Sequence, residues 1–404
     1  MNFKQKILSY TLMISSLTIV LSDLQAQEAI KVWDFDTKIE LEGDDRTSKI
    51  AGKEYFFDST LAVIYDADYD EKSKEYYEFQ EILWKRVTKK DPQNGDAWLN
   101  LFRCQLYAGS GNSILESTIT AMKSAIPGDY RFYFATYLYS KEPDFITEAF
   151  NKADKEGKKW LYKDYVKVTE LSGNHTERNK ALADWKLSGN LPDELFKFAY
   201  NLLITPSENA ILITEGGFDT YPLWILQNTD NIRPDVKILN LELCKNPKYC
   251  ERMLKEFGLK GNPALISKPA DFVSNLYAQN PSKSLYISMT VIKPTLKSLA
   301  GNLNCEGLAY RIGKLNYMTV YKLVDNIENA YNTRYLTQTF SNHVFNQAMM
   351  HKLNLTYLVP LLQVYDYYKY KDNNTMALKF YDIAMVVAKK RGYEDLVMMY
   401  RFNW

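Results

Sequence analysis

One stretch in the middle of the chain, residues 209–227, constrains the fold more than any other. It combines a strand, a glycine turn and a helix: residues 210–214 form a short apolar run typical of a buried strand, and Gly216-Gly217 ends that run. Asp219 stands where the N-cap of the following helix is expected. Because ligands in open α/β sheets bind at the turn after a strand, this turn is the first candidate site.

The same alternation continues after this stretch. Further apolar runs at residues 236–243, 284–289 and 308–312 predict three more strands, and helical segments of about ten residues separate them. Strands that alternate with such helices are typical of a parallel sheet covered by helices. We therefore predict a small α/β domain over residues 204–316 with a mostly parallel sheet.

Helical patterns flank this domain on both sides. In residues 75–203, Trp98 follows Pro92 by six residues, which is the phase of a 34-residue tetratricopeptide repeat. In residues 317–404, Tyr368, Ala377 and Tyr381 fall at the expected repeat positions. The segments resemble tetratricopeptide repeats, although the second repeat is degenerate. The predicted fold class is mixed α and α/β, with tetratricopeptide-like helical hairpins flanking the small α/β domain.

The first 26 residues have the pattern of a secretory signal peptide. Lys4 and Lys6 precede an apolar stretch at residues 7–21, and Ala26 offers a small residue for cleavage. A retained N-terminal anchor is the alternative. Cleavage would leave a mixed segment, residues 27–74, ahead of the helices, and no later stretch is apolar enough to span a bilayer. We predict an exported protein in the periplasm or on the periplasmic face of the outer membrane.

Composition narrows the classes of partner. The formal net charge is +1, which lacks the basic excess of a nucleic-acid-binding protein. Aromatic residues make up 14% of the chain, a content that indicates large buried contacts or a surface for protein partners. No nucleic-acid partner is predicted.

The metal-ligating residue types have no recognisable spacing. The chain contains 4 Cys and 3 His, without the tight pairs of a structural zinc site. Residues 66–70 resemble the start of a calcium loop, but Glu71 replaces its glycine and Tyr77 replaces its last ligand. We predict no metal and no cofactor, and four cysteines permit three pairings between which spacing does not choose.

The predicted ligand-binding residues surround the glycine turn: Glu215, Gly216, Gly217, Asp219, Thr220 and Trp224. In the functional interpretation, the turn holds a ligand at a helix N-terminus with Asp219 as hydrogen-bond acceptor. In the structural interpretation, which we favour, the same residues form only a tight turn and a cap. Two carboxylates suit a neutral polar ligand such as a glycan better than an anion. No known nucleophile or metalloprotease motif is present, and a Glu215–Asp219 acid pair has no further support, so no catalytic residue is predicted.

The central motif also resembles a known family. Residues 210–214, the Asp-Thr-Tyr-Pro-Leu-Trp segment at 219–224 and residues 232–241 resemble the soluble C-terminal, extracytoplasmic region of bacterial O-mannosyltransferase-like membrane proteins. Residues 285–290 and 306–311 resemble later strands of that region. Since the membrane part of that family is absent, the resemblance does not imply its activity. Phe218 also stands where the family has a polar residue.

These features predict an exported, non-catalytic scaffold or adaptor. Its partners would be proteins of the cell envelope, including an outer-membrane complex, because repeat helices commonly hold partners on their concave faces. The alternative is a periplasmic protein that binds or processes glycans through the turn at Gly216 and Asp219.

Overall fold

The computed structural model describes residues 47–50, 53–56, 74–338 and 347–402. These residues belong to two compact units that divide between Ala181 and Leu182. We call residues up to 181 the helical unit and residues from 182 onward the sheet unit. The predicted signal peptide, residues 27–46 of the mixed N-terminal segment and the acidic run at 66–70 lie outside the described residues.

In the helical unit the structure describes two paired strands and a series of helices. Its strands are β1 (Thr47–Ile50) and β2 (Lys53–Phe56), which pair antiparallel. Its helices are α1 (Lys74–Lys90), α2 (Gly95–Tyr107), α3 (Asn112–Ala125), α4 (Tyr130–Ser140), α5 (Pro143–Lys152), the short α6 (Lys155–Lys158), α7 (Tyr162–Ser172) and α8 (His175–Leu187), which crosses into the sheet unit.

Short turns join these helices into neighbouring pairs. Helix α1 packs on α2, α4 on α5, and α2 also contacts α4. Pro92 lies in the turn between α1 and α2, and the Trp98 indole donates a hydrogen bond to its carbonyl (2.9 Å). One helix thus ends before Pro92, and the next begins at Gly95, ahead of Trp98. The core between α1 and α2 contains Trp84, Leu101 and their neighbours.

The sheet unit surrounds five strands with helices. The strands are β3 (Ile211–Thr214), β4 (Lys237–Asn240), β5 (Leu285–Ser288), β6 (Leu303–Cys305) and β7 (Ala309–Ile312). The helices are α9 (Asp193–Ile204), α10 (Tyr221–Asp230), α11 (Leu241–Cys244), α12 (Pro247–Glu256), α13 (Pro269–Gln279), α14 (Lys293–Leu299), α15 (Thr319–Asp325), α16 (Gln347–Asn354), α17 (Leu358–Tyr370), α18 (Asn374–Lys389) and α19 (Glu394–Phe402). Short 3-10 segments lie at Gly217–Asp219, Pro263–Ser267, Ala300–Asn302, Arg334–Thr337 and Leu355–Tyr357, and a π-helical turn lies at Asn326–Ala330.

The strand order of the sheet is β4-β3-β5-β7-β6. Strand β3 pairs in parallel with both β4 and β5, whereas β7 pairs antiparallel with β5 and with β6. The predicted mixed α and α/β class is confirmed, but only half of the sheet is parallel. The difference arises because β6 and β7 form a hairpin, and β6 was not predicted. Strands β3 and β5 are buried along their whole length, as expected for strands covered on both faces.

Helix α9 is bound to the C-terminal helices by a buried polar network. The Asn201 side chain donates to the Tyr357 hydroxyl (2.7 Å) and to the carbonyl of Asn332 (3.1 Å), and it accepts from the Asn332 amide (2.9 Å). The Tyr335 hydroxyl also donates to Tyr357 (3.1 Å). Since such buried groups are costly to leave unpaired, the network fixes α9 against the segments after the sheet.

Two further observations complete the fold. The C-terminal segment in tetratricopeptide phase folds as the helices α17 and α18, which pack on each other. Among the described residues, no helix has both the length and the apolar character that a membrane span requires.

Candidate functional site

The parallel strands end in polar residues that lie side by side. Thr214 ends β3, Asn240 ends β4 and Ser288 ends β5, and all three are fully buried. The register places Thr214 opposite Asn240. The chain leaves β3 to form β4 on one side and then returns to form β5 on the other side. The ends of these strands, which we call the carboxyl edge, are therefore where an open α/β sheet offers a crevice.

Asp219 is the hydrogen-bond centre of the carboxyl edge. Its Oδ2 accepts from the backbone amide of Glu215 (2.9 Å) and from the Thr290 hydroxyl (2.5 Å), and its Oδ1 accepts from the Gly216 amide (2.9 Å) and the Thr220 hydroxyl (2.8 Å). Burial raises the pKa of Asp219, while these four hydrogen bonds oppose the rise. The carboxylate thus ties the loop after β3 to the loop after β5.

The predicted N-cap role of Asp219 is wrong. Thr220 occupies the N-cap position of α10, and Asp219 instead turns back to the amides that precede it. The cause is the 3-10 turn at Gly217–Asp219, which places the carboxylate over the end of β3 rather than over the first turn of α10.

Glu215 makes a second connection between the two loops. Its Oε2 accepts from the backbone amide of Ile292 (3.0 Å), in the segment after β5. Burial is the main cause that raises the pKa of Glu215, and the nearby carboxylates of Asp219 and Glu242 raise it further. The carboxyl edge is therefore an acidic environment, which disfavours a phosphate ligand there.

Gly216 permits a close approach of two side chains. Its φ is +139°, and a Cβ at this position would lie 2.7 Å from Glu242 Oε2 and 3.3 Å from Asn240 Oδ1. Only glycine tolerates both that backbone conformation and that contact. The turn that the sequence singles out thus presses against the residues that follow β4.

Asn240 has an unused donor beneath this turn. Its Oδ1 accepts from the Leu243 amide (2.9 Å), which caps α11, but its Nδ2 has no hydrogen-bond partner although the side chain is fully buried. A buried amide donor without an acceptor costs about 1–3 kcal/mol. Asn240 is therefore the group at the carboxyl edge with capacity to bind an acceptor.

The other predicted site residues have different surroundings. The Thr220 hydroxyl, which bonds Asp219, also lies 2.8 Å from Thr214 Oγ1. Gly217 has φ +69°, and no atom would lie within 4 Å of a Cβ there. Trp224 packs edge-on against Tyr221, with ring centroids 5.6 Å apart, in an aromatic cluster that continues to Trp185. Trp224 therefore contributes to helix packing rather than to the hydrogen bonds around Asp219.

Sequence reasoning missed several residues of the carboxyl edge: Thr214, Asn240, Glu242, Ser288 and Thr290. Only Thr214 closes a predicted strand, because the apolar runs predicted as the second and third strands extend past Asn240 and Ser288, to Leu243 and Met289. The shared edge of parallel strands could therefore have indicated Thr214, but Asn240 and Ser288 required the observed ends of β4 and β5.

A second polar cluster lies around Glu306, just after β6. The buried Glu306 carboxylate pairs with Lys322 (2.6 Å), accepts from the Tyr286 hydroxyl (2.6 Å), and lies 4.0 Å from Arg311. Because the charged and polar groups around Glu306 are paired with one another, we interpret this cluster as structural.

Arg233 forms a similar structural contact at the start of β4. Its guanidinium holds Asp235 at 2.8 Å and donates to the carbonyls of Pro206 and Ser207, at 3.0 and 2.9 Å. The side-chain hydrogen bonds from Arg233 are the main cause that lowers the pKa of Asp235 to about 2. The turn at residues 233–235 thus anchors the segment that enters β3.

The cysteines are four buried thiols. Burial raises the pKa of the Cys305 thiol to about 12, so it stays protonated at neutral pH. Within the part of the chain that the structure describes, no three His, Cys, Asp or Glu side chains are grouped so that they could hold a metal ion.

The strand order and the polar carboxyl edge define a small mixed α/β module surrounded by helices. Residues 196–266, which include most of α9 and the chain from β3 to α12, match the family of TMEM260-associated domain 2. TMEM260 is an O-mannosyltransferase-like protein, so the match agrees with the resemblance carried by the motifs of residues 210–241. It includes Asp219 and Asn240 but ends before β5. No curated protein sequence matches the chain.

Proposed function

We propose that this chain is an exported, non-catalytic scaffold or adaptor of a bacterial envelope assembly, which acts by protein–protein contact. The helical pairs, with their tetratricopeptide-like phase, are the type of surface that holds partners. The observation that carries the proposal is an exposed group of aromatic and apolar side chains in the sheet unit.

We call this group the aromatic patch: Leu315, Tyr317, Met318, Tyr321, Tyr367 and Tyr370. Five of these side chains, all but Tyr367, are 38–53% exposed. Tyr321 on α15 meets Tyr367 on α17 edge-on, with ring centroids 5.9 Å apart, so the patch spans two helices. Tyrosine and methionine are enriched at protein interfaces, and large apolar patches are uncommon on monomers.

Charges beside the aromatic patch indicate the chemistry of the partner. Lys314 is exposed next to Leu315, and the Lys371 ammonium lies 5.8 Å from the centre of the Tyr367 ring. Such a surface favours a partner that presents apolar side chains together with acidic ones.

The test is purification from native membranes in mild detergent, followed by crosslinking and mass spectrometry. The wild-type chain should bring down a stoichiometric protein partner. The double variant Met318→Ser/Tyr321→Ser should lose at least tenfold of that partner, since central aromatic anchors carry most interface energy. A matched control, Met399→Ser, removes a methionine of nearly equal exposure (54% against 53%) from α19 and should retain the partner. A monomer without a stoichiometric partner, or equal recovery by both variants, would overturn the proposal.

A second candidate function is the binding of a neutral glycan at the carboxyl edge. The unused Asn240 donor favours it: Asn240 would donate to a sugar oxygen, and the carboxylates of Glu215 and Glu242 would accept from hydroxyl groups. Asp219 supports these residues, because its own oxygens are already bonded.

This candidate is tested by thermal melting with neutral trisaccharides of glucose, mannose and N-acetylglucosamine. A shift for the wild type that disappears in Asn240→Ser supports it, because serine retains the α11 cap but lacks the amide donor. Asn246→Ser changes the equivalent cap of α12 and is the control. In Asp219→Asn, unchanged sugar binding would exclude the acceptor role predicted for Asp219 from the sequence. If no sugar shifts the wild type, the glycan candidate is rejected.

A further inference from the structure

Two buried donors in the helical unit have no acceptor. Asn100 and Arg103, on α2, are 2% and 5% exposed. Asn100 Nδ2 and Arg103 Nε have no hydrogen-bond partner, and among the described residues no carboxylate forms an ion pair with Arg103. Because buried charges in proteins are nearly always paired, a buried guanidinium without a counter-charge is an unusual observation.

The two side chains lie on one stripe of the helix. Asp96, Asn100 and Arg103 are spaced by four and three residues, which places them on the same side of α2. Ala97, Leu101 and Cys104 lie on a different side, which packs against α1. The donors are therefore not part of the apolar α1–α2 contact.

The carboxylates of Asp96 and Glu81 are already paired with other residues. Asp96, the exposed end of the stripe, binds Arg131 (2.7 Å), and Glu81 binds Lys85 (2.6 Å) and Gln105 (3.2 Å). Arg103 instead lies over the ring of Phe134 on α4, with 5.5 Å from its Cζ to the ring centroid. The stripe thus combines one uncompensated positive charge, one amide donor and an aromatic wall, and it reaches solvent at Asp96.

We propose that Asn100 and Arg103 form a binding site for a single carboxylate group presented by a protein partner. A carboxylate supplies the coplanar acceptors that a guanidinium and a neighbouring amide donor bind best. Its single negative charge neutralises the single buried positive charge, whereas a phosphate dianion would leave an excess negative charge beside these buried side chains. The inference that a protein supplies the carboxylate rests on the proposed function. The inference that Asn100 and Arg103 bind an anion does not rest on it.

The test measures the melting temperature of the full chain with defined probes. The probes are an acetylated and amidated glycine-serine heptapeptide with one central glutamate, the same peptide without glutamate but with a free carboxyl terminus, a neutral amidated version, and inorganic phosphate. Either carboxylate peptide at ten times its Kd should raise the melting temperature by about 3 °C. The first two probes distinguish a side-chain carboxylate from a chain terminus.

Three variants test whether the thermal response comes from Asn100 and Arg103. Arg103→Met should abolish the shift, whereas Arg131→Met should retain it, because Arg131 also lies over an aromatic ring, Tyr130 at 4.5 Å, but is already paired with Asp96. Asn100→Asp supplies the missing carboxylate one turn from Arg103. It should melt at a higher temperature than the wild type and lose the response to both carboxylate peptides, and this result does not depend on whether Arg103→Met folds.

The proposal is overturned by no shift with either carboxylate peptide, by a larger shift with phosphate, or by an unchanged response in Asn100→Asp. These outcomes are independent of the aromatic patch. If the peptides shift the wild type but no partner is recovered from membranes, the anion site stands and the adaptor function fails.

Discussion

The buried carboxyl group of Asp366 should make the stability of the sheet unit depend on pH. It lies on α17 and is buried, with one carboxyl oxygen accepting from the Tyr400 hydroxyl of α19 and the other, Oδ1, without a partner. Burial raises the pKa of Asp366 from 3.8 to about 8. The carboxyl group is therefore protonated in the folded protein at neutral pH, whereas in the unfolded chain it is ionised.

The direction and size of the change in unfolding free energy with pH follow from this pKa. A raised carboxyl pKa contributes stability that is fully present below pH 4 and is lost as pH rises toward 8, because the folded state binds the extra proton. Between pH 4 and pH 7 there are about three pH units, each worth about 1.4 kcal/mol, so the loss is about 4 kcal/mol. Domains typically have only about 5–15 kcal/mol of stability, so this is a large fraction.

Asp366→Asn should remove this pH dependence, because the amide does not titrate. The substitution leaves a buried amide donor in place of Oδ1, which costs about 1–3 kcal/mol at every pH, so the variant is less stable than the wild type at pH 4 and more stable at pH 7. Urea unfolding at half-unit steps from pH 4 to pH 8 measures both curves. Asp382→Asn, an exposed position on α18, controls for the lost charge. Parallel curves for the wild type and Asp366→Asn would refute the assigned pKa.

Three other substitutions test further buried contacts by urea unfolding. Gly307→Ala should lower the free energy of unfolding by more than about 2 kcal/mol, because Gly307 has φ +142° and a Cβ there would lie 2.0 Å from the Tyr331 hydroxyl. An unchanged free energy of unfolding would show that the turn can move. Tyr357→Phe should cost about 1–3 kcal/mol, since Asn201 loses a buried acceptor, and α9 amides should exchange faster with deuterium; unchanged exchange would contradict this. Asp219→Asn should cost about 1–3 kcal/mol because its new amide would face existing donors, whereas unchanged stability would mean that these bonds are dispensable.

The elements that could be predicted from the sequence are those with a local cause. Strands β3 and β5 were predictable because each is a continuous buried apolar run, and the α1–α2 turn was predictable from the spacing of Pro92 and Trp98. Strand β6 has only three residues, too few to show a period, so neither it nor the hairpin that makes half of the sheet antiparallel could be predicted.

The candidate site depends on contacts between distant parts of the chain. The sequence predicts Asp219 to be a helix cap because such a prediction uses only neighbouring residues. Thr290, which donates a hydrogen bond to Asp219, lies 71 positions further along the chain. The unused donor of Asn240 likewise depends on the packing of Gly216 against the segment after β4. The exposure of Tyr321 could not be predicted either, because it depends on how α15 and α17 pack on each other.

The hydrogen bonds of α9 have a consequence for the time at which the sheet unit can fold during synthesis. Asn201 bonds the backbone of a residue 131 positions later and the side chain of a residue 156 positions later. At a translation rate of about 5–20 residues per second, α9 leaves the ribosome roughly 10–30 s before Tyr357 does. Through that interval α9 can pack on α10, but the Asn201 amide has no native partner, so the contacts of α9 with the C-terminal segments form only after most of the chain has been made.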